Sequence, residues 1–198
     1  MFLEYESLDH GQIQLPCLQT LIVITTTYRN GDLKYMTKWD MPNLRRFWVT
    51  CIYRFEDKDL LFFWQHGKRL TFLKFRYSSG TIMPILDLCP LLEQITINID
   101  TTFDIWIEHQ KVKKFIIKGC YNTPTNMTVL TERLRKFMPT LVDRQQTPLL
   151  KLIQLRGFYR HDFVLERYKN RVYSQWVIWL LMLDERNMVL VDGNRMRV

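Results

Sequence analysis

The feature that most constrains the fold of this chain is a spacing pattern, L-x-x-L-x-L, in which other apolar residues also fill the three marked positions. It occurs six times, at Leu18, Leu21, Val23; Leu44, Phe47, Val49; Leu70, Leu73, Phe75; Leu92, Ile95, Ile97; Val112, Phe115, Ile117; and Leu150, Ile153, Leu155. The second and third marked positions are two residues apart, which is the period of a strand with one buried face. Each unit therefore predicts one short strand, with a turn leading into it.

The spacing between units indicates how these strands are arranged. First marked positions follow one another at intervals of 26, 26, 22, 20 and 38 residues. The first four intervals lie in the range typical of leucine-rich repeats. We therefore predict an α/β fold, a leucine-rich-repeat-like right-handed solenoid with a parallel sheet on the concave side and short irregular helices on the convex side. The alternative is that the six matches are strands of an ordinary doubly wound sheet.

Four prolines support this alignment of the units. Each stands two residues before the first marked position of its unit: Pro16, Pro42, Pro90 and Pro148. Proline has no N–H to give to a sheet ladder, and it pushes the preceding residue out of helical conformation. The shared position of the prolines therefore predicts that a helix or loop ends there and a strand follows.

Segments between the strands show weaker helix signals. Helices are predicted for residues 57–66, where Gly67 follows as a C-terminal glycine, and for residues 126–138, which Pro139 would close. Residues 81–88 form a short apolar turn. Residues 175–186 are apolar nearly all round, which predicts a buried helix, and residues 188–191 form a strand candidate before an Asp-Gly turn. The whole chain, 1–198, is predicted to be a single domain with repeats over about 15–155 and a C-terminal helix and strand cap over 156–198.

Composition excludes several classes of function. The chain has 47% hydrophobic residues and a net charge of +8, so it reads as an ordered, basic domain that favours acidic partners. The four cysteines, Cys17, Cys51, Cys89 and Cys120, lie far apart without metal-ligand spacing, and we expect them to be buried thiols of an intracellular protein. No secretion signal or membrane-length apolar stretch is present. No motif of nucleophile and base, or of a cofactor or metal, occurs, so we expect no enzyme and no cofactor.

Several phrases of this sequence resemble a known family. LPCLQTLIV, FFWQHGKRLTFLKF, ILDLCPLLEQITI and LLKLIQLRGF are similar to the repeats of the fungal F-box and leucine-rich-repeat-like proteins, and the tail RNMVLVDGN is similar to their end. The resemblance covers roughly residues 15–193 and implies the substrate-recognition part of an F-box-type protein. Such proteins often carry an N-terminal F-box that docks on a cullin-type ubiquitin ligase. No F-box precedes Leu15, so we expect a recognition part without its docking part, and a chain that is truncated or needs company.

Strand alternation predicts where a partner would bind. Residues between the marked positions would face outward on the concave wall, where they form a basic column with a few aromatics. We predict a partner-binding set with an aromatic anchor at its centre: Arg46, Trp48, Phe72, Lys74, Arg76, Lys114, Lys118 and Arg156. The composition is typical of a protein-binding hot spot, and the alternative partner is nucleic acid. Trp48 and Phe72 could instead be ordinary core residues under a loop or helix.

Overall fold

A seven-stranded, all-parallel β-sheet forms the centre of the computed structural model, which describes residues 12–24, 32–49, 57–76, 83–98, 107–118, 131–132, 134–135, 138–157 and 170–197. The strands are β1 (Thr20–Val23), β2 (Arg46–Val49), β3 (Phe72–Arg76), β4 (Gln94–Asn98), β5 (Lys114–Lys118), β6 (Leu152–Arg156) and β7 (Val189–Val191). The described part of the chain is therefore an α/β fold, as predicted.

The strands follow one another across the sheet in chain order, from β1 to β7. Each neighbouring pair is parallel. A doubly wound sheet reverses its strand order at a switch point, and this order contains no such reversal among the described strands. The alternative of an ordinary doubly wound sheet therefore disagrees with the observed topology.

The six predicted units lie side by side in one common register. The second marked residues are direct partners across the sheet, as are the third marked residues: Leu21, Phe47, Leu73, Ile95, Phe115, Ile153; and Val23, Val49, Phe75, Ile97, Ile117, Leu155. All twelve are buried. Because side chains alternate along a strand, this register collects one apolar residue of every strand into each of two continuous rows.

The seventh strand was predicted only as a strand candidate, not as a further unit. In the register, Leu190 pairs with Ile153, so Asn187 and Asp192 occupy the places of the first and third marked residues. Both are polar, which hides the unit from an apolar pattern. The Asp192 carboxylate instead accepts hydrogen bonds from the backbone N–H groups of Asn194 and Met196, at 2.8 and 2.9 Å. The strand ends there in a turn.

Each proline found at the shared position occupies the second residue of a hydrogen-bonded turn. The backbone N–H of the first marked residue donates to the carbonyl three residues earlier, as from Leu18 to Leu15, Leu44 to Met41, Leu92 to Cys89 and Leu150 to Thr147. Proline suits this second place because its φ is already fixed and no N–H is needed there. The prolines therefore set the turn that starts each strand.

Four α-helices are described between the strands: α1 (Asp57–His66), α2 (Met83–Asp87), α3 (Met138–Val142) and α4 (Asn170–Glu185). Two 3-10 helices, Asp32–Lys38 and Gly67–Arg69, complete the helical elements. The bounds of α1 are those predicted. Phe62 and Phe63 of α1 pack on Phe47, with ring centroids 4.5 and 5.7 Å from it, so the helix covers the apolar rows of the sheet.

Gly67 has a different role from the one predicted. It begins a 3-10 turn, and among the described glycines only Gly157 has a positive φ. A Cβ atom on Gly67 would lie 2.5 Å from the Leu88 carbonyl oxygen. Glycine is therefore required because two backbones approach closely here, not because the helix ends in a left-handed residue.

Pro139 does not close a helix, which corrects the prediction for residues 126–138. It is the second residue of α3, where a proline is tolerated because first-turn N–H groups have no partner within the helix. Of the predicted segment, Thr131, Glu132, Leu134 and Arg135 are helical, Met138 begins α3, and the remainder lies outside the described residues.

The C-terminal helix is buried on one side only. Trp176, Trp179 and Leu183 are buried, whereas Ile178 and Leu181 are 51% and 61% exposed. The prediction of a helix buried all round is therefore wrong, because α4 lies at the end of the sheet and packs on its neighbours along a single stripe.

Cysteine burial is also only partly as predicted. Cys89 is buried, but Cys17 is exposed, in the turn before β1. Cys51 and Cys120 lie outside the described residues. Burial raises the pKa of the Cys89 thiol to about 12, so that thiol stays protonated and packs as a small apolar group.

Candidate partner-binding face

The sheet has a second face, opposite the buried rows, which we call the open face. Its positions are those that alternate with the apolar ones: Thr20, Ile22, Arg46, Trp48, Phe72, Lys74, Arg76, Gln94, Thr96, Asn98, Lys114, Ile116, Lys118, Leu152, Gln154 and Arg156. Six of these residues are basic and none is acidic. All eight predicted partner-binding residues therefore occupy one face of the sheet.

At one end of the open face, each of two aromatic rings is paired with a cation. The ammonium of Lys74 lies 2.8 Å from the centroid of the Trp48 ring, and the guanidinium of Arg46 lies 5.5 Å from that of Phe72. Direct register pairing of Arg46 with Phe72 and of Trp48 with Lys74 produces both contacts. Cations over aromatic faces are attracted by the ring quadrupole, and partial desolvation strengthens the attraction.

Trp48 and Phe72 are half-buried rather than fully covered. The alternative that they are ordinary core residues therefore disagrees with the structure. Part of each side chain remains accessible, and the cation above each ring contributes to its partial burial.

A cluster of cations follows on the neighbouring strands. Lys118 and Arg156 are direct partners in the register, and their charges reach Lys74, to which Lys118 is also hydrogen-bonded. Partial burial and these neighbouring charges lower the pKa of Lys74 from 10.5 to about 8. We call Lys74, Lys118 and Arg156 the basic cluster. In the same way, burial first, then the charges of Arg195 and Arg156, lower the pKa of Lys114.

Three residues in the middle of the open face are not accessible, which corrects the prediction that all alternating residues face outward. Thr96, Ile116 and Gln154 are buried, at 2%, 1% and 1% exposure. They form one row of direct neighbours across β4, β5 and β6. Long side chains diagonally next to such a row reach across it, so the accessible surface here belongs to the lysines and arginines around it.

Gln154 is a polar member of this buried row. Its Oε1 has no hydrogen-bond partner within the part of the chain that the structure describes. A buried carbonyl oxygen without a donor is costly, which marks this position as a place where a further group could donate.

Arg76 and Arg195 complete the account of the basic residues. Arg76 ends β3 and pairs in register with Asn98, but its side chain lies outside the described part. Arg195 was not predicted, because it follows the Asp192 turn at the far end of the chain and only the folding of that tail brings its charge near Lys114. A tail motif rich in Arg and Met carries no local signal for this placement.

The helical side of the sheet has an apolar groove of about 620 Å³ between α1 and α2, with Leu60, Trp64, Pro84 and Leu88 among its lining residues. Trp64 is 63% exposed. The groove carries one lysine, Lys68, and one aspartate, Asp87, so it lacks the charge of the open face.

None of the helices in the described ranges has both the length and the apolar character that a bilayer crossing needs. Within the same ranges, no three His, Cys, Asp or Glu side chains form a group that could hold a metal ion. Comparison of the chain with protein-family models, curated proteins and solved structures gives no match. The fold and face define an α/β protein with a seven-stranded parallel sheet and a basic, aromatic open face, and the function proposed below is argued from that face.

Proposed function

We propose that this chain is a non-enzymatic protein-binding module, a leucine-rich-repeat-like right-handed solenoid that binds its partner through the open face. Parallel strands in chain order and in one register support the solenoid, because each strand and its connection then stack on the next. In such a solenoid the open face is the concave side and the short helices lie on the convex side. Concave faces of solenoids are their usual binding surfaces.

The observation that carries the proposal is the pair of aromatic rings with cations above them. Trp48 and Phe72 are half-buried, are held by neighbouring strands and stand beside Arg46 and Lys74. Rigid aromatic and arginine side chains dominate the energy of protein interfaces, because they desolvate a large area at little cost in conformational entropy. This surface is therefore suited to anchor a protein partner.

The resemblance to fungal F-box and leucine-rich-repeat-like proteins supports a more specific role. We propose that the chain is related to the substrate-recognition part of such proteins and works inside the cell, in the cytoplasm or nucleus. Any link to a cullin-type ubiquitin ligase would then run through an F-box, which this sequence lacks before Leu15.

The test is capture of partners from the native cell by the tagged chain, followed by affinity measurement with the partner identified. We expect the double variant Trp48→Ala/Phe72→Ala to lose at least about 2 kcal/mol of binding free energy, roughly thirtyfold in Kd. Trp64→Ala is the matched control, since Trp64 is an exposed tryptophan on the helical side. Equal loss in the control, or full binding by the double variant, would contradict the proposal.

Nucleic acid is the second candidate, favoured by the six basic and no acidic residues of the open face. It predicts affinity that falls steeply with salt, because cations that contact phosphates release counterions. Protein binding through Trp48 and Phe72 predicts only a mild dependence. Repeating the capture at two salt concentrations, with and without nuclease, separates the two candidates.

A further inference from the structure

The basic cluster brings together three cations from strands that are not all neighbours. Lys118 and Arg156 are direct partners on β5 and β6, while Lys74 stands on β3, with β4 between them. Their side chains still converge, because Lys118 is hydrogen-bonded to Lys74 and the charges of both Lys118 and Arg156 act on it. The residue that β4 contributes between Lys74 and Ile116 is Thr96, whose short side chain leaves room for this convergence.

Such a cluster is unfavourable when it stands alone. Like charges within a few ångströms repel, and partial burial removes part of the water that would screen them. Lys74 has an attractive contact with the Trp48 ring, but a ring quadrupole offsets only part of the repulsion from two full charges. Lys114, one strand position away on the same face, is subject to the same kind of repulsion from Arg156 and Arg195. A multiply charged anion would relieve all of these interactions at once.

Gln154 supplies the second observation. It is 1% exposed, stands two residues before Arg156 on the same face, and its Oε1 accepts no hydrogen bond within the described residues. Residues two apart on a strand lie side by side on one face, so Gln154 borders the basic cluster. An oxyanion that carries a proton, as phosphate does near neutral pH, could donate to this oxygen while its other oxygens accept from the cations.

We propose that Lys74, Lys118 and Arg156, with Gln154 beside them, form a binding site for a phosphate group. The site goes beyond the proposed function, because it names the chemistry that the basic half of the open face recognises. It rests on the proposed function only for the source of the phosphate, which is then a phosphorylated side chain of the protein partner. A free phosphate or pyrophosphate is the other source of the same chemistry.

Nucleic acid is a poorer occupant of this site. Single-stranded nucleic acid binds along a cationic groove and stacks its bases on aromatic faces. Here the ammonium of Lys74 already covers one face of Trp48, and the guanidinium of Arg46 stands over Phe72. The cations also converge on one place instead of following a line. This arrangement suits a compact group with two negative charges better than a chain of singly charged phosphodiesters.

The experiment is a titration of the full chain with inorganic phosphate, pyrophosphate, sulfate, a phosphoserine peptide and a short single-stranded oligonucleotide at pH 7. The readouts are the dissociation constant and the NMR titration of the Lys74 side chain. We expect saturable phosphate binding, a Lys74 pKa that rises above about 8 when phosphate is bound, and several-fold weaker binding of sulfate, which has no proton to donate. A phosphate on a protein partner predicts that the phosphoserine peptide binds more tightly than inorganic phosphate. A free anion predicts the reverse order.

Two single variants test the residues. Arg156→Gln and Lys118→Gln should each weaken phosphate binding about tenfold, the loss expected for one charge-assisted hydrogen bond. Lys68→Gln removes one positive charge from the helical side and should leave binding unchanged. Circular dichroism confirms that each variant is folded. Equal affinities of all three variants, no shift of the Lys74 titration, equal binding of sulfate, or tighter binding of the oligonucleotide than of phosphate would each overturn the site.

Failure of this site and failure of the proposed function are distinguishable. If phosphate does not bind but partner capture still depends on Trp48 and Phe72, the site is wrong and the binding module stands. If phosphate binds as expected but capture does not depend on those aromatics, the site stands and the protein-binding role is wrong.

Discussion

Gly67 and Lys74 show how single residues are constrained by neighbours that are distant in the chain. Gly67 has no room for a side chain, because the Leu88 carbonyl of the following unit occupies the space where a Cβ would stand. Lys74 has an unusually low pKa, because burial and two cations from later strands disfavour its charge. In both residues, the property follows from a contact that no local pattern contains.

Gly67→Ala should destabilise the fold. The new methyl group would meet a backbone atom, which can move away only if the turn itself shifts, and overpacking of this kind costs about 1–3 kcal/mol. Urea denaturation measures the change in the free energy of unfolding. Arg69→Ala, two residues later at an exposed position, is the control and should change stability by less than about 0.5 kcal/mol. Equal stability of the Gly67 variant and wild type would refute the close approach.

Lys74 should titrate near pH 8 in the free protein. Replacement of Arg156 by Gln removes one of the charges that lower the pKa of Lys74, so the pKa should move up toward the ordinary lysine value of 10.5. NMR of the side-chain methylene groups next to the amine follows this titration directly. If the pKa of Lys74 is the same in Arg156→Gln as in the wild type, the two side chains do not interact as the structure indicates.

At the scale of elements, the turns before the strands are held by side chains as well as by backbone. His109 is the clearest example: its Nε2 lies 2.9 Å from the Cys89 carbonyl oxygen, and its Nδ1 accepts the Lys111 backbone N–H at 3.2 Å. Both contacts are satisfied together when the ring is neutral with its proton on Nε2. The backbone N–H of His109 also donates to the Gln146 carbonyl. This one residue therefore connects the turns of three successive units.

Acidification should weaken the fold through its buried histidines. Burial lowers the pKa of His109 below 6.5, and it does the same for His66, which packs on the Phe62 ring and has Arg69 and Asp40 as charged neighbours. Below pH 6.5 the unfolded chain therefore binds protons that the folded protein does not. This contribution to stability is complete above pH 6.5 and is lost as the pH falls from 6.5 toward the lowered values.

Urea denaturation at pH 7.5, 6.5 and 5.5 measures this dependence. His109→Gln keeps an N–H that can donate to the Cys89 carbonyl but removes the titration, so this variant should show a smaller loss of stability between pH 6.5 and 5.5. A slope as steep as that of the wild type would show that protonation of His109 does not contribute.

The whole molecule separates its two kinds of surface onto two faces of one sheet. The buried rows run from β1 to β7, and every strand adds to them, while the open face collects cations and aromatics. Because each strand packs mainly on its two neighbours, central strands have more to lose than those at the ends of the sheet.

Ile95→Ala, in the central strand β4, should therefore cost about 2–5 kcal/mol, because Ile95 is fully buried between Leu73 and Phe115. Ile22→Ala on β1 is the matched control, since Ile22 is 43% exposed, and we expect a loss of less than about 1 kcal/mol. Chemical denaturation compares the two variants. A comparable loss in both would mean that stability is not concentrated at the centre of the sheet.

Much of the fold was predictable because strand periodicity is a local signal. The six units gave the positions and register of β1 to β6, since alternation of apolar residues fixes which face each side chain takes. The bounds of α1 followed from its acidic start and its final glycine. The seventh unit was hidden because Asn187 and Asp192 stand where apolar residues were expected, and there a turn held by Asp192 replaces apolar packing.

The sequence by itself determined which residues form strands, which of their faces is apolar and which residues of the opposite face carry positive charge, because all of these follow from spacing along the chain. Only the tertiary structure decided that Lys74, Lys118 and Arg156 converge, that Arg195 approaches Lys114, and that Thr96, Ile116 and Gln154 are covered. The physical reason is that burial and charge interactions depend on distances between residues that are far apart in the chain. Those distances exist only once the strands are side by side.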